Sequence, residues 1–123
     1  MTRPQESPRS RRVADRIQVE LAELLQREAR DPRLTRLTIT GVVVTRDLGS
    51  AKVWVAGSFS PAEEKPTLEA LRGATPYLRT LLAPRLGLRT VPMLLFVIDH
   101  SLDAGDRIER LLREIRDAEP PSE

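Results

Sequence analysis

The sequence predicts an α+β domain in which helices pack on one three-stranded mixed sheet, in the order α-β-β-α-(kink)-α-β-α. Three observations lead there. Val13, Ile17, Leu21, Leu24 and Leu25 recur at steps of four, four, three and one, the stripe of an amphipathic helix. Residues 36–55 hold two β-branched, alternating runs on either side of a turn. Residues 68–90 then keep a helical rhythm that Gly73-Ala74-Thr75-Pro76 interrupts midway, before the apolar run Pro92 to Ile98.

Each element has its own signals. Ser10 is placed to cap the first helix, and Asp31-Pro32 ends it, because proline disfavours helical geometry in the residue before it. The run RLTITGVVVT at 36–45 alternates around Gly41, where a bulge or bend is expected. Asp47-Leu48-Gly49-Ser50 reads as the turn of a hairpin. Its second strand puts Ala51, Val53 and Val55 on one face and Lys52 and Trp54 on the other. Residues 58–66 are expected to form a polar loop.

The two half-helices meet at Gly73 to Pro76, and proline can open the second half. Pro92 to Ile98 is continuously apolar, which predicts an inner strand covered on both faces. Asp99 and Ser101 offer caps for a last helix. Leu102, Ile108, Leu111, Leu112 and Ile115 lie on its apolar side, and Asp103, Asp106, Glu109 and Arg113 on its exposed one. The folded domain is expected over 9–117, with a disordered basic arm at 1–8 and a disordered tail at 118–123.

Composition bounds the function. The 123 residues suit one domain with a modest core, and an aromatic content of 3% makes that core aliphatic. There is no cysteine, which excludes disulfides, thiolate nucleophiles and cysteine-based zinc sites. No signal-peptide pattern and no membrane-spanning run occur, so a cytoplasmic protein without membrane contact is expected.

Net charge is only +2, yet it is unevenly spread. Residues 1–46 hold ten basic and six acidic side chains, and residues 72–98 hold four arginines and no acid. Residues 99–123 carry an acidic excess. Two basic zones on one small chain suggest a polyanionic partner. The basic set is 18 Arg against 2 Lys, which suits bidentate phosphate contact and is equally explained by coding bias.

The candidate RNA contacts are Arg11, Arg12, Arg33, Arg46, Lys52, Arg72, Arg79, Arg85 and Arg89. Each also has a bland reading as a solvated side chain. Arg9, Arg11, Arg12 and Arg16 crowd the start of the first helix, whose positive end prefers acids; a basic arm for RNA explains that choice, and so does a mere flexible extension. Trp54 could stack on a base, but large aromatics usually pack beneath a helix, and that is expected here. His100 beside Asp99 is the one histidine, and no serine or cysteine nucleophile motif accompanies it. No P-loop, dinucleotide fingerprint or metal motif is present, so no catalysis, cofactor or metal is expected.

A helix broken beside a β-sheet is also how K-homology domains hold single-stranded nucleic acid, through a GXXG loop. The chain resembles the type II form of that fold, and within it the bacterial ribosome-binding factor A family, where an Ala-X-Gly kink replaces GXXG. The resemblance runs from about Arg11 to Ile115. Its parts are Arg12 to Gln18 with Leu21 to Leu25, then Asp31-Pro32-Arg33-Leu34, then Val44 to Leu48 with Ala51 to Val55. They continue with Leu78 to Leu82, Arg85-Leu86, Leu88-Arg89, Pro92 to Phe96 and Asp99 to Leu102. Three positions depart from the family pattern: Ala74-Thr75-Pro76 for Ala-X-Gly, Met93 for a common glutamate, and Pro84 near the end of the second half-helix.

The resemblance implies a non-catalytic assembly factor. It would bind the free small (30S) ribosomal subunit and its 16S rRNA in late maturation, including 5′-end processing, and serve in the cold. It implies release before translation begins and assembly GTPases acting alongside; nothing in the residues suggests more than a monomer. The alternative from the residues alone is a protein-interaction module whose basic face meets an acidic protein.

Overall fold

The computed structural model describes residues 6–101 and 111–117. Helix α1 spans Pro8–Arg27, a short helix α2 spans Pro32–Thr35, and strands β1 and β2 span Thr38–Val44 and Ser50–Ala56. Helix α3 spans Pro61–Leu86 and strand β3 spans Met93–Ile98. The sheet has the order β1-β2-β3, with β1 antiparallel and β3 parallel to β2, so it is mixed as expected.

Helix α1 starts earlier than its apolar stripe suggests. Ser7 is the N-cap and Pro8 the first helical residue, while Ser10 holds the reciprocal position of a capping box. Ser10 Oγ accepts from the Ser7 amide at 2.7 Å, and Ser7 Oγ accepts from the Ser10 amide at 3.1 Å. The expected arm at 1–8 thus gives up its last residue to the helix; residues 1–5 lie outside the described residues, as do 118–123. At the far end Asp31 caps α2, accepting from the Arg33 amide at 2.9 Å.

The expected bulge is present. Ile39 pairs with Val55 and Gly41 with Trp54, leaving Thr40 as the extra residue. On the inner face Ile39, Val44, Ala51, Val53, Val55, Leu94, Phe96 and Ile98 meet Ile17, Leu21, Leu24, Leu71, Leu78 and Leu82 from the helices. Burying these aliphatic side chains supplies the main driving force, at about 25 cal/mol per Å² of apolar surface.

Three sequence expectations need correcting. First, Gly73 to Pro76 does not divide two elements: α3 is one helix through all three of its prolines, Pro66, Pro76 and Pro84. Pro76 removes the N–H that would reach the Arg72 carbonyl and crowds it, which kinks a helix without ending it. Thr75 Oγ1 donates to the Leu71 carbonyl at 2.8 Å and Thr80 Oγ1 to the Pro76 carbonyl at 3.0 Å, the back-bonding that hydroxyl side chains make inside a helix. Second, the loop at 58–66 is shorter than expected. Pro61 opens α3, and the Glu63 carboxylate accepts from the Ser60 amide at 2.8 Å, a capping arrangement.

Third, β3 is an edge strand, paired with β2 alone among the described residues. Leu94, Phe96 and Ile98 face the core, whereas Met93 and Leu95 stand about half exposed on the other face. Trp54 is half-buried. It shares that outer face with Lys52, whose ammonium lies 5.1 Å from the indole centroid, within cation–π range.

Residues 111–117 are helical, but Leu111, Leu112 and Ile115 are all more than half exposed rather than turned into a core. Leu102, Asp103, Asp106, Ile108 and Glu109 lie outside the described residues.

Candidate nucleic-acid interface

Chain direction brings one end of the molecule together. Helix α1 runs against β1, with Gln18 donating to the Ile39 carbonyl at 3.2 Å, so the start of α1 lies beside the hairpin turn. There Arg46 Nε donates to the Glu6 carbonyl at 3.1 Å. The α3–β3 connection lies against the same turn, since the Met93 amide donates to the Gly49 carbonyl at 2.9 Å. Arg16 donates to the carbonyl of Arg85 at 2.9 Å, which fastens the last turn of α3 to α1.

That end therefore gathers Arg9, Arg11, Arg12, Arg16, Arg46, Arg85 and Arg89, with Lys52 just behind on β2. The carboxylates nearby are Glu6, Asp15, Glu20, Glu23 and Asp47. Arg11 sits 4.0 Å from Glu6, and Arg85 pairs with Glu20 at 2.9 Å and Glu23 at 3.5 Å. The Glu20 carboxylate beside it, followed by Glu23, pushes the Arg85 guanidinium above its usual range. Arg9, Arg12, Arg46 and Arg89 are exposed and make no ion pair among the described residues. The first turn of α1 holds no acid, so the positive helix end adds to the same field.

The hairpin turn holds Arg46 outward. Asp47 Oδ1 accepts from Thr45 Oγ1 at 2.7 Å and from the Gly49 amide at 2.9 Å. The Thr45 hydroxyl, then the Gly49 N–H, keep the Asp47 carboxyl below the usual carboxylate range. Leu48 takes a left-handed φ of 60° to close the turn, which costs about 1–2 kcal/mol for a non-glycine residue.

The remaining expected contacts are placed elsewhere. Arg33 is at the opposite end, gripping Asp31 at 2.6 Å, and that partner raises its pKa. Arg72 is exposed in mid-helix. Arg79 turns inward: a terminal nitrogen donates to the Val91 carbonyl at 2.6 Å, and its Nε is buried with no acceptor among the described residues. Its charge holds the α3–β3 connection rather than facing solvent. Gly73, Ala74, Thr75 and Pro76 lie within α3, far along the helix from the basic end.

Sequence reasoning placed Arg9 and Arg16 in a basic arm but not among the contacts. Their spacing with Arg12, at three and four residues, is the signal that puts all three on one helix face. Among the described residues no cluster of His, Asp and Glu is arranged to hold a metal ion, and no helix is long and apolar enough to cross a membrane. His100 lies 3.5 Å from Glu64, away from the basic end.

Comparison with known proteins decides the family. The model for ribosome-binding factor A matches residues 9–112.

The chain belongs to the ribosome-binding factor A family.

The factor of Alkalilimnicola ehrlichii is 48% identical over 112 residues, covering 90% of this chain and 86% of that protein. The factor of Thiobacillus denitrificans is 46% identical over 109 residues, covering 89% and 88%. The crystal structure of ribosome-binding factor A from Thermus thermophilus superposes with a TM-score of 0.67 at 29% identity, over 75% of this chain and 97% of that one. A Thermus thermophilus homology model fitted into a cryo-EM map of a 30S–factor complex superposes at 0.61 with 31% identity, over 71% and 91%. The helices on a three-stranded mixed sheet seen here match these ribosome-binding factor A structures.

Proposed function

We propose that the basic end formed by α1, the hairpin turn and the α3–β3 connection seats this chain on the small ribosomal subunit by contact with its 16S rRNA. The observation that carries this is the convergence of exposed arginines, free of ion pairs among the described residues, from three separate parts of the chain onto one end. Such a surface neutralises phosphates without reading bases. The Thermus relative fitted into a 30S map supports the choice of subunit. Arg12, Arg46 and Arg89 are the leading contacts, with Arg11 and Lys52 beside them. Arg85, its charge paired with Glu20 and Glu23, clasps α3 to α1 and adds little to the RNA surface. Arg33, Arg72 and Arg79 would touch RNA only on a second surface.

The protein acts without catalysis. The helix-and-sheet body is rigid, so bound rRNA is held in one arrangement, which suits a maturation step such as 5′-end processing. Ordering of this kind matters most in the cold, where misfolded RNA escapes slowly. Assembly GTPases would act on the same particle, and the chain works as a monomer in the cytoplasm.

Co-sedimentation with purified 30S subunits, 50S subunits and 70S ribosomes across a salt series tests the reading. Binding confined to 30S particles and weakening with salt is expected. Equal binding to all three would reduce the arginines to general polyanion affinity. Competition by an acidic protein as effective as that by rRNA would favour a protein partner for the same face.

A further inference from the structure

Between the first turns of α1 and the end of α3 lies a groove of about 300 Å³, lined by Arg9, Arg12, Val13, Arg16, Leu86 and Leu88. We infer that this groove takes one unpaired RNA nucleotide, its base on the leucine floor and its phosphates among the arginines. The inference rests on the proposed function and adds to it a discrete site for single-stranded RNA.

Several observations converge on that occupant. Arg9, Arg12 and Arg16 fall three and four residues apart, so three guanidiniums line one edge of the groove. Arg16 is already anchored, by the Arg85 carbonyl at 2.9 Å and Glu20 at 3.6 Å, so its planar group is held in place. Arg9 and Arg12 are exposed and have no acidic partner among the described residues. Arg9 in the first turn opposes the positive helix end, and Arg12, one turn further on, adds a second charge without an acidic partner among the described residues. An anion removes that penalty, and a phosphate matches the guanidinium fork.

The floor argues against a bare phosphate. Leu88 is half-buried and, among the described residues, is not part of the core that Leu86 joins. Gly87, in a left-handed conformation with φ 65°, ends α3 and turns Leu88 back toward α1. Guanidinium planes are surfaces on which an unstacked base lies flat, and an apolar floor beside them takes the base's apolar face out of water. A paired base is held inside its duplex and cannot reach it. The volume sits at the lower limit of ligand-sized cavities, enough for one nucleotide and not for several stacked bases.

The test uses the full chain with labelled oligouridine and oligoadenine decamers, and with a blunt RNA duplex of equal phosphate number. Affinities are measured by fluorescence anisotropy over a potassium chloride series. The wild-type protein should prefer the single strands by about tenfold. Leu88→Ser keeps every charge and should weaken single-strand binding about fivefold, with the salt slope and duplex affinity unchanged. Leu88→Phe should hold or tighten it, which separates loss of the floor from loss of folding. Arg12→Gln should lower the salt slope by about one on both RNAs.

If Leu88→Ser binds like wild type while Arg12→Gln is weaker, the arginines meet phosphates alone and the groove holds no base. If the duplex binds as well as the single strands, the inference falls in the same way. Sedimentation of the wild-type protein with 30S subunits, run alongside, reports on the proposed function alone. Retained sedimentation with no binding of any RNA would overturn the groove and point the basic end at a ribosomal protein.

Discussion

Arg16 donates to the backbone carbonyl of Arg85 at 2.9 Å, and the Arg85 guanidinium reaches back to Glu20 on α1 at 2.9 Å. Two arginines far apart in the sequence thus clasp α1 to α3 in both directions. One keeps most of its side chain in solvent, and the other spends its charge inside the protein. Arg85→Gln should therefore lower the thermal midpoint and leave the salt slope of RNA binding almost unchanged. Circular dichroism melting beside a salt-dependent binding series checks both. A lost salt slope with an unchanged midpoint would make Arg85 a direct phosphate contact.

Gly73 sits inside α3, and an added Cβ would meet nothing within 4 Å. Glycine in a helix interior costs roughly 0.5–1 kcal/mol relative to alanine. Gly73→Ala should stabilise the protein by about that amount in urea unfolding. Destabilisation would mean that residues 73–76 open into a loop.

Leu78 is fully buried where α3 meets the sheet. Leu78→Ala leaves a cavity and should cost about 2–5 kcal/mol, read from the shift in the urea midpoint at constant m-value. A cost below about 1 kcal/mol would indicate that the helix does not rest on the sheet at this point.

Thr40, the bulged residue of β1, donates to Asp99 Oδ2 at 2.6 Å. That hydroxyl, followed by Ser101, lowers the Asp99 carboxyl from an ordinary 3.8 to about 2. Because the folded value is the lower one, the stabilisation is fully present above about pH 4 and is lost as pH falls toward about 2. Thr40→Val should raise the Asp99 pKa toward its ordinary value in a carboxyl NMR titration. An unmoved titration would assign the shift to Ser101.

Much of this was legible in the residues. The stripe from Val13 to Leu25, the alternation of Ala51, Val53 and Val55, and the bulge at Gly41 all follow from periodicities of about 3.6 and 2. The edge position of β3 was not legible. Met93 and Leu95 are as apolar as the core-facing Leu94 and Phe96, so alternation of burial leaves no mark in the sequence. The continuity of α3 was hidden by reading Pro76 as a break, when a proline removes one hydrogen bond and bends a helix that packing holds together.

The candidate site shows the same division. A zone of four arginines without an acid reads as one surface, yet Arg79 turns in to Val91 and Arg85 to Glu20 while Arg72 lies apart. The long, flexible arginine stem lets tertiary partners decide its direction, and those partners are distant in sequence. Arg12, Arg46 and Arg89 share an end only because α1 runs against β1 and α3 returns to the start of β3.

The central claim is that this end, and not the protein's positive charge in general, meets the small subunit. Arg12→Glu with Arg89→Glu at the basic end should be compared with Arg30→Glu plus Arg36→Glu at the other, which changes net charge equally. Both double variants should melt close to wild type, since none of the four side chains makes an ion pair among the described residues. Co-sedimentation with 30S subunits at fixed salt should fall at least about tenfold for the first pair and by no more than about twofold for the second. Equal losses, or a larger loss for Arg30 and Arg36, would contradict the account.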